Sequence, residues 1–236
     1  MRIPLVSRVS VRGRTLPWLV RGLFPLSIVL FTGCVTAPVS FKVRAGASAA
    51  LGGKQVAIAP PDVEVRAISA GGVTEKRDDW AETVSGNLTR ELAGLTSYKP
   101  SPALDPETKK ELADVAALMR AVSFNHLLYL GPPGPMSFSS RPLEYNLGPI
   151  TKLADGCHAD ALLFVFARDA YSTGGRKALV VLGFAVPAPA LITAALVSRD
   201  GSVQWFNYFF TQNVDLRTPD GARTVAAQVL AGLPNR

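Results

Sequence analysis

The densest run of groups able to do chemistry is Arg168-Asp169-Ala170-Tyr171-Ser172-Thr173-Gly174-Gly175-Arg176-Lys177. It follows directly on the apolar stretch Ala161 to Phe166, and ligands of open α/β sheets gather at the carboxyl ends of strands. Ser172, Thr173 and the Gly174-Gly175 backbone can form an anion-accepting turn, with Arg176 as its cationic partner. The competing reading is a solvated loop held in shape by an Asp169–Arg176 pair. Asp169, Tyr171, Ser172, Thr173, Gly174, Gly175 and Arg176 are thus the candidate binding residues. If the protein is an enzyme, an anionic or glycan substrate is what this loop would take.

Other reactive groups are few. The chain has no G-x-S-x-G elbow, phosphate-binding P-loop, H-E-x-x-H or C-x-x-C, and its only histidines are His126 and His158. Zinc wants several nitrogen or sulfur ligands, so no metal or cofactor is expected, and no catalytic residue is assigned. Cys157 and His158 are neighbours, but adjacent side chains of an extended chain point apart. Cys157 reads as a small buried hydrophobe and His126 as a core or cap residue. Asp62, Glu64, Asp169 and Asp215 could serve acid–base work, yet nothing in their spacing puts two of them on one face.

These groups must be positioned by a scaffold that hydrophobic spacing outlines. Gln55 to Ala59 is β-prone and ends at Pro60-Pro61, and Asp62 to Ile68 alternates as a second extended piece beside it. From Asp79, Trp80, Val84, Leu88, Leu92 and Leu95 fall on one helical face, with Asp79 and Glu82 at capping-box spacing. Asp105-Pro106-Glu107 opens another helix with the apolar face Leu112, Val115, Leu118/Met119 and Val122. Five prolines and three glycines between Gly131 and Pro149 suggest a structured loop or lid, followed by a short helix from Pro149 to Ala154.

Ala161 to Phe166 shows no alternation, as expected of a strand buried on both faces. Arg199-Asp200-Gly201-Ser202 is a turn between Leu191 to Ser198 and Val203 to Phe210, which makes a β-hairpin. Thr218-Pro219-Asp220 announces a last helix in which Val225, Val229 and Gly232 alternate with Ala226, Leu230 and Leu233 to make its buried stripe. The sum is one α/β or α+β domain whose mixed sheet of four or five strands is flanked by helices. Ala178 to Ser198 carries no charge over 21 residues, but Pro187 and Pro189 disfavour a continuous membrane span. It reads as a buried helix or strand to Phe184, a Pro-containing turn and then a strand, against packing on lipid or on an oligomer partner. The hairpin's aromatic strand makes Trp205, Phe206 and Tyr208 candidates for an interaction surface, against a plain two-layer core.

The amino-terminal segment speaks of location. Five arginines precede the uncharged run Gly22 to Gly33, which is too short to span a bilayer and suits a signal-peptide core. Leu30-Phe31-Thr32-Gly33-Cys34 resembles the lipobox of bacterial lipoproteins, with Phe31 where that family usually has Leu. The expected organisation is a signal peptide over 1–33, a flexible tether over 34–53 after a lipidated Cys34, and a periplasmic globular domain over 54–236. An uncleaved amino-terminal anchor is the alternative. Residues 1–33 hold 5 of the 25 Lys+Arg and none of the 18 Asp+Glu, so the remainder has a net charge near +2. That removes the basic stripe nucleic-acid binding needs, and no nucleic-acid partner is expected.

The chain also resembles a group of uncharacterised proteobacterial lipoproteins, through Ala59 to Val65, Ser69 to Val73, Asp79-Trp80, Asp169 to Lys177, Gln204 to Asn207 and Asp215 to Gly221. More remotely, its layout is similar to envelope lipoproteins of the curli-secretion and penicillin-binding-protein-activator type. These resemblances imply a palmitate-bearing lipoprotein at the periplasmic face of the outer membrane, and Val35 after Cys34 fits that sorting. They further imply a non-catalytic domain acting in contact with an envelope protein or with itself, in assembly, transport or cell-wall maintenance. The lipid bilayer is met through the acylated amino terminus.

Overall fold

The side chains of one strand explain most of the architecture. In the computed structural model, which describes residues 40–130, 143–212 and 214–234 with the side chains of 40 and 124–130 excepted, β6 runs over Ala161–Ser172. Its odd-numbered residues Ala161, Leu163, Val165 and Ala167 enter one core, and Leu162, Phe164 and Phe166 enter another on the opposite face. A strand alternates its side chains between two faces, so an unbroken apolar run means that both are covered.

In chain order the remaining elements are β1 (Ser40–Val43), α1 (Ala47–Leu51), β2 (Val56–Ile58), β3 (Asp62–Ile68), β4 (Thr74–Lys76), α2 (Asp78–Leu95), β5 (Lys99–Pro100), α3 (Pro106–Leu130), α4 (Thr151–Gly156), α5 (Gly174–Val181), β7 (Ala190–Ser198), β8 (Val203–Thr211) and α6 (Pro219–Val229). Strands β1, β8, β7 and β6 pair antiparallel in that order. On the other side of β6 both β2 and β3 lie parallel to it, with β5 beyond β2 and β4 beyond β3. The result is a mixed eight-stranded sheet between two helical layers, an α/β domain larger in strand number than spacing alone suggested.

Two expectations about strands change. β2 and β3 lie end to end along β6, Ile58 opposite Leu163 and Asp62 opposite Phe166, rather than side by side. Pro60-Pro61 interrupts one line of pairing because neither proline can donate to a ladder. The tether expected over 34–53 is also corrected. Ser40 to Val43 pairs with Tyr208 to Trp205, and Leu51 is 3 % exposed in the first core, so residues 40–53 belong to the folded domain that was expected to start at Lys54. Cys34 and the first strand's lead-in lie outside the described residues, as does most of the expected lid between Gly131 and Pro149.

Helices cover the faces as their patterns require. Val84, Leu88 and Leu92 of α2 and Ala222, Val225, Ala226 and Val229 of α6 are buried against the first face. Met119 of α3 and Leu153 of α4 pack on the second. The Asp105 carboxylate accepts from the amides of Glu107 and Thr108 and so caps α3, while Thr218 Oγ1 accepts from Gly221 N at 3.1 Å to cap α6. The Asp79–Glu82 capping box does not form, because α2 starts at Asp78 with no side-chain cap and Asp79 binds Arg77. Polar side chains tie helices to sheet. Asn207, fully buried in β8, donates to Val229 O at 2.8 Å and satisfies a free carbonyl at the end of α6.

The aromatic strand is interior. Trp205, Phe206 and Tyr208 are 0 %, 2 % and 7 % exposed, so they form the two-layer core and not an interaction surface. Trp205 faces the α2/α6 layer, and Phe206 and Tyr208 face the α3/α4 layer.

Gly232 gives a test of β1. Its φ is +69°, and a Cβ there would meet the Phe41 ring at 2.4 Å. Gly232→Ala should lower unfolding stability by about 1 to 3 kcal/mol in urea titration, from left-handed strain and displacement of the ring. Adding Phe41→Ala should restore the steric part. A double variant no more stable than Gly232→Ala alone would mean that the Phe41 ring, and β1 with it, is not seated against Gly232.

Candidate functional site

The run from Asp169 to Lys177 is not a loop. Asp169, Tyr171 and Ser172 belong to the last turns of the β6 ladder, Thr173 precedes α5, and Gly174, Gly175 and Arg176 form the first turn of that helix. Asp169 and Arg176 do not pair. The Asp169 carboxylate, 5 % exposed, accepts from the Tyr171 hydroxyl, and Arg176 Nη2 donates to Val186 O at 3.3 Å. The glycine pair answers to packing, since a Cβ on Gly175 would press on Ala70 Cβ at 3.3 Å. Thr173 makes no side-chain cap bond, and its carbonyl accepts from Lys177 N at 2.8 Å as the helix begins.

Around Tyr171 three distant segments converge. Leu216 N donates to the Tyr171 oxygen at 3.1 Å, and that hydroxyl donates in turn to Asp169. Arg217 forks onto Asp215 at 2.9 and 2.7 Å and lays its guanidinium 3.9 Å above the Tyr171 ring. The same guanidinium stands 4.5 Å over Trp80, whose ring also meets Arg77 at 3.9 Å and Tyr171 edge-on at 5.6 Å. Arg77 in turn forks onto Asp79 at 2.9 and 2.6 Å. Planar guanidinium suits both tasks at once, bidentate pairing in its plane and stacking on a ring above it. The cluster joins the start of α2, the end of β6 and the connection into α6.

The electrostatics follow from these neighbours. Burial pushes the Asp169 carboxyl up to about 6, against the Tyr171 hydrogen bond that favours its anion. Burial, then the adjacent Asp169 charge, drives the Tyr171 phenol well above its ordinary value. The fork to Arg217 holds Asp215 below the usual carboxylate range, and the Arg77 bond does the same for Asp79.

Every carboxylate that sequence offered for acid–base work has a partner. Asp62 pairs with Arg120, Glu64 with Arg66 at 2.6 Å, Asp169 with Tyr171 and Asp215 with Arg217. Cys157 is 3 % exposed and burial raises its thiol pKa, which makes it a poor nucleophile. His158 beside it is exposed with φ at 51°, and the His126 side chain lies outside the described residues. Both Cys157 and His158 line a cleft of about 780 Å³ at the amino ends of β2 and β5, the end opposite the one where α/β sheets hold ligands. Among the described residues no group of three or more His, Cys, Asp or Glu is placed to hold a metal ion.

The cluster around Trp80 and Arg217 escaped sequence reasoning. Its partners are separated by about half the chain, and cation–π stacking has no local spacing signal. The blocks that carry the family resemblance did mark its members, since Asp79-Trp80, Asp169 to Lys177 and Asp215 to Gly221 meet here.

The buried carboxyl makes stability pH-dependent with a definite sign. Asp169 binds its proton more tightly folded, at about 6, than unfolded, at the ordinary 3.8. Its stabilising share is therefore complete below pH 3.8 and lost as pH rises through 6, about 3 kcal/mol at roughly 1.4 kcal/mol per unit. Asp169→Asn should flatten the stability profile between these limits, and a profile as steep as the wild type's would show that another group titrates. For the stack, Arg217→Lys should cost about 1 to 2 kcal/mol in urea unfolding, because an ammonium cannot fork and stack together. Full stability in the lysine variant would reduce the cluster to simple charge pairing.

No family model matches the chain, and no curated protein does. Among solved structures the chain is similar to the PelC dodecamer from Paraburkholderia phytofirmans in space group P6, at 14% identity, with 84% of this chain and 97% of that chain covered and a TM-score of 0.40. A methionine-substituted variant of the same dodecamer in space group C2 gives 14% identity, 77% and 90% coverage and a TM-score of 0.38. Scores below 0.5 carry neither function nor assembly across.

Proposed function

We propose that this chain is an envelope lipoprotein, acylated at Cys34 and held at the periplasmic face of the bacterial outer membrane, whose α/β domain works by contact with another protein and not by turnover. The observation that carries the contact reading is the closure of the candidate site. Asp62, Glu64, Asp169 and Asp215 are bound to neighbours of their own chain, and the stacked rings and guanidinium groups brace three segments. The arginine-rich leader, the short apolar run and the lipobox-like Leu30 to Cys34 support the anchored location.

The surface that fits a protein partner is the sheet edge. β1 pairs only with β8 among the described strands, and it presents Phe41 at 47 % and Val43 at 40 % exposure on one face. A strand at the edge of a sheet can be extended by a strand of a partner. Trp205, Phe206 and Tyr208 no longer serve this reading, since they are interior.

Two measurements test it. A Cys34→Ala variant should fail to label with palmitate and accumulate as precursor, and undiminished labelling would remove the anchor. A photo-crosslinking residue at Val43 should yield a discrete protein adduct in intact cells, and the same group at Lys110 should not. If Val43 gives none while Asp169→Asn abolishes the envelope phenotype without loss of folding, catalysis at the β6 end replaces contact.

A further inference from the structure

The long apolar run does not go inside. Val181, Leu182, Phe184 and Val186 are 86 %, 66 %, 79 % and 67 % exposed, which corrects the expectation of a buried segment up to Phe184. They cap an excursion from Thr173 to Pro189 between β6 and β7, neighbours that a tight hairpin could have joined.

This knuckle is built and held. Gly183, with φ of +79°, ends α5 in a Schellman motif, Phe184 N donating to Leu179 O at 2.8 Å and Gly183 N to Val180 O at 3.0 Å. Arg176 straps the returning chain by its bond to Val186 O. The tip's helix-end carbonyls are thereby partly satisfied without water, which lowers the penalty for entering an apolar medium. Its exposed side chains are presented in a fixed shape.

We infer that this tip inserts into the surface of a lipid bilayer. Three observations select lipid as the occupant. First, charge is arranged for an anionic headgroup layer. From Ala170 to Arg199 the chain has no acidic residue, Lys177 sits in the first turn of α5, about 7 Å along the helix axis from Val181 and Leu182, and the Arg176 guanidinium is held at Val186 O. Cationic residues beside an apolar patch are the arrangement of interfacial anchors, drawn to anionic headgroups while the apolar side chains enter beneath them. Second, the four side chains expose on the order of 500 Å², below the roughly 800 Å² per partner of a stable protein interface.

Third, the chain arrives from the right end. Ser40 lies opposite Tyr208 and Val43 opposite Trp205, so β1 begins on the side where β8 ends at Thr211 and β7 begins at Ala190. That is the end from which α5 projects. β1 and β6 are three strand spacings apart, about 14 Å, and the six residues from Cys34 to Ser40 span at most about 20 Å. This third argument rests on acylation at Cys34. The first two do not.

The test uses full-length protein carrying Leu182→Cys or Val181→Cys labelled with an environment-sensitive fluorophore. The protein is reconstituted into phosphatidylethanolamine vesicles with a minority of phosphatidylglycerol and lipid-borne quenchers. Cys157 is buried and should label poorly, and Lys110→Cys, on the α3 turn tied to α4 by Glu107–Lys152, supplies the control at the other end of the sheet. Emission from position 181 or 182 should shift to the blue and fall at least about twofold with quencher, and that from position 110 should do neither. Water-like emission from the tip of vesicle-bound protein overturns the inference. So does a blue shift without lipid quenching that accompanies crosslinked dimers, which would name a second copy as occupant. Mass analysis of the amino terminus tests the anchor on its own: quenching in a Cys34→Ser chain, which has no thiol to label at position 34, leaves insertion standing without it, and an unquenched acylated chain removes insertion and leaves the anchor.

Discussion

The domain depends on β6 being covered from both sides. Its backbone pairs with β2, β3 and β7, and its alternate side chains fill two separate cores, so no other element touches as much of the molecule. Over Ala161 to Ala167 the strand has no solvated face on which to place a charge, and its first charged residue is the exposed Arg168. At its far end, where cover thins, Asp169 is still 5 % exposed, and the phenol beside it favours its anion against burial. The stack of Tyr171, Arg217, Trp80 and Arg77 continues the central strand's role outward and braces α2 and the approach to α6 against the last residues of the ladder.

Bracing of this kind bears on function by occupation. An active site needs groups whose hydrogen-bonding capacity is left for substrate, and here the acids near the strand end are met by arginines or by Tyr171. The raised Asp169 pKa is the mark by which catalytic carboxyls are often found. Its cause here is burial beneath the brace, which a structural role explains equally well.

Much of the fold was legible because its signals are local. The two-sided burial of Ala161 to Phe166, the Arg199 to Ser202 turn and the Thr218-Pro219 cap each lie within a few residues, and each is where spacing put it. Short strands were not legible: Ser40 to Val43 and Thr74 to Lys76 form only because a partner edge is waiting, and their own residues state no preference. The aromatic strand and the uncharged run were the deceptive pair. Trp205, Phe206 and Tyr208 looked too rich for one core and proved to be shared between two, whereas Val181 to Val186 looked interior and project into solvent. Hydrophobicity tells that a side chain wants cover without saying who provides it.

The seating of β1 on β8 has a consequence for the order of assembly. The hairpin β7–β8 closes over four residues and can form as soon as it is made, but Ser40 meets Tyr208 across most of the chain. Such distant pairing must repay a long loop closure, and it slows folding. During synthesis, amino end first, the earliest described strand is thus among the last to find its place, and β2 and β3 wait for β6 in the same way. The leading third of this chain completes its pairing only once the trailing third is present.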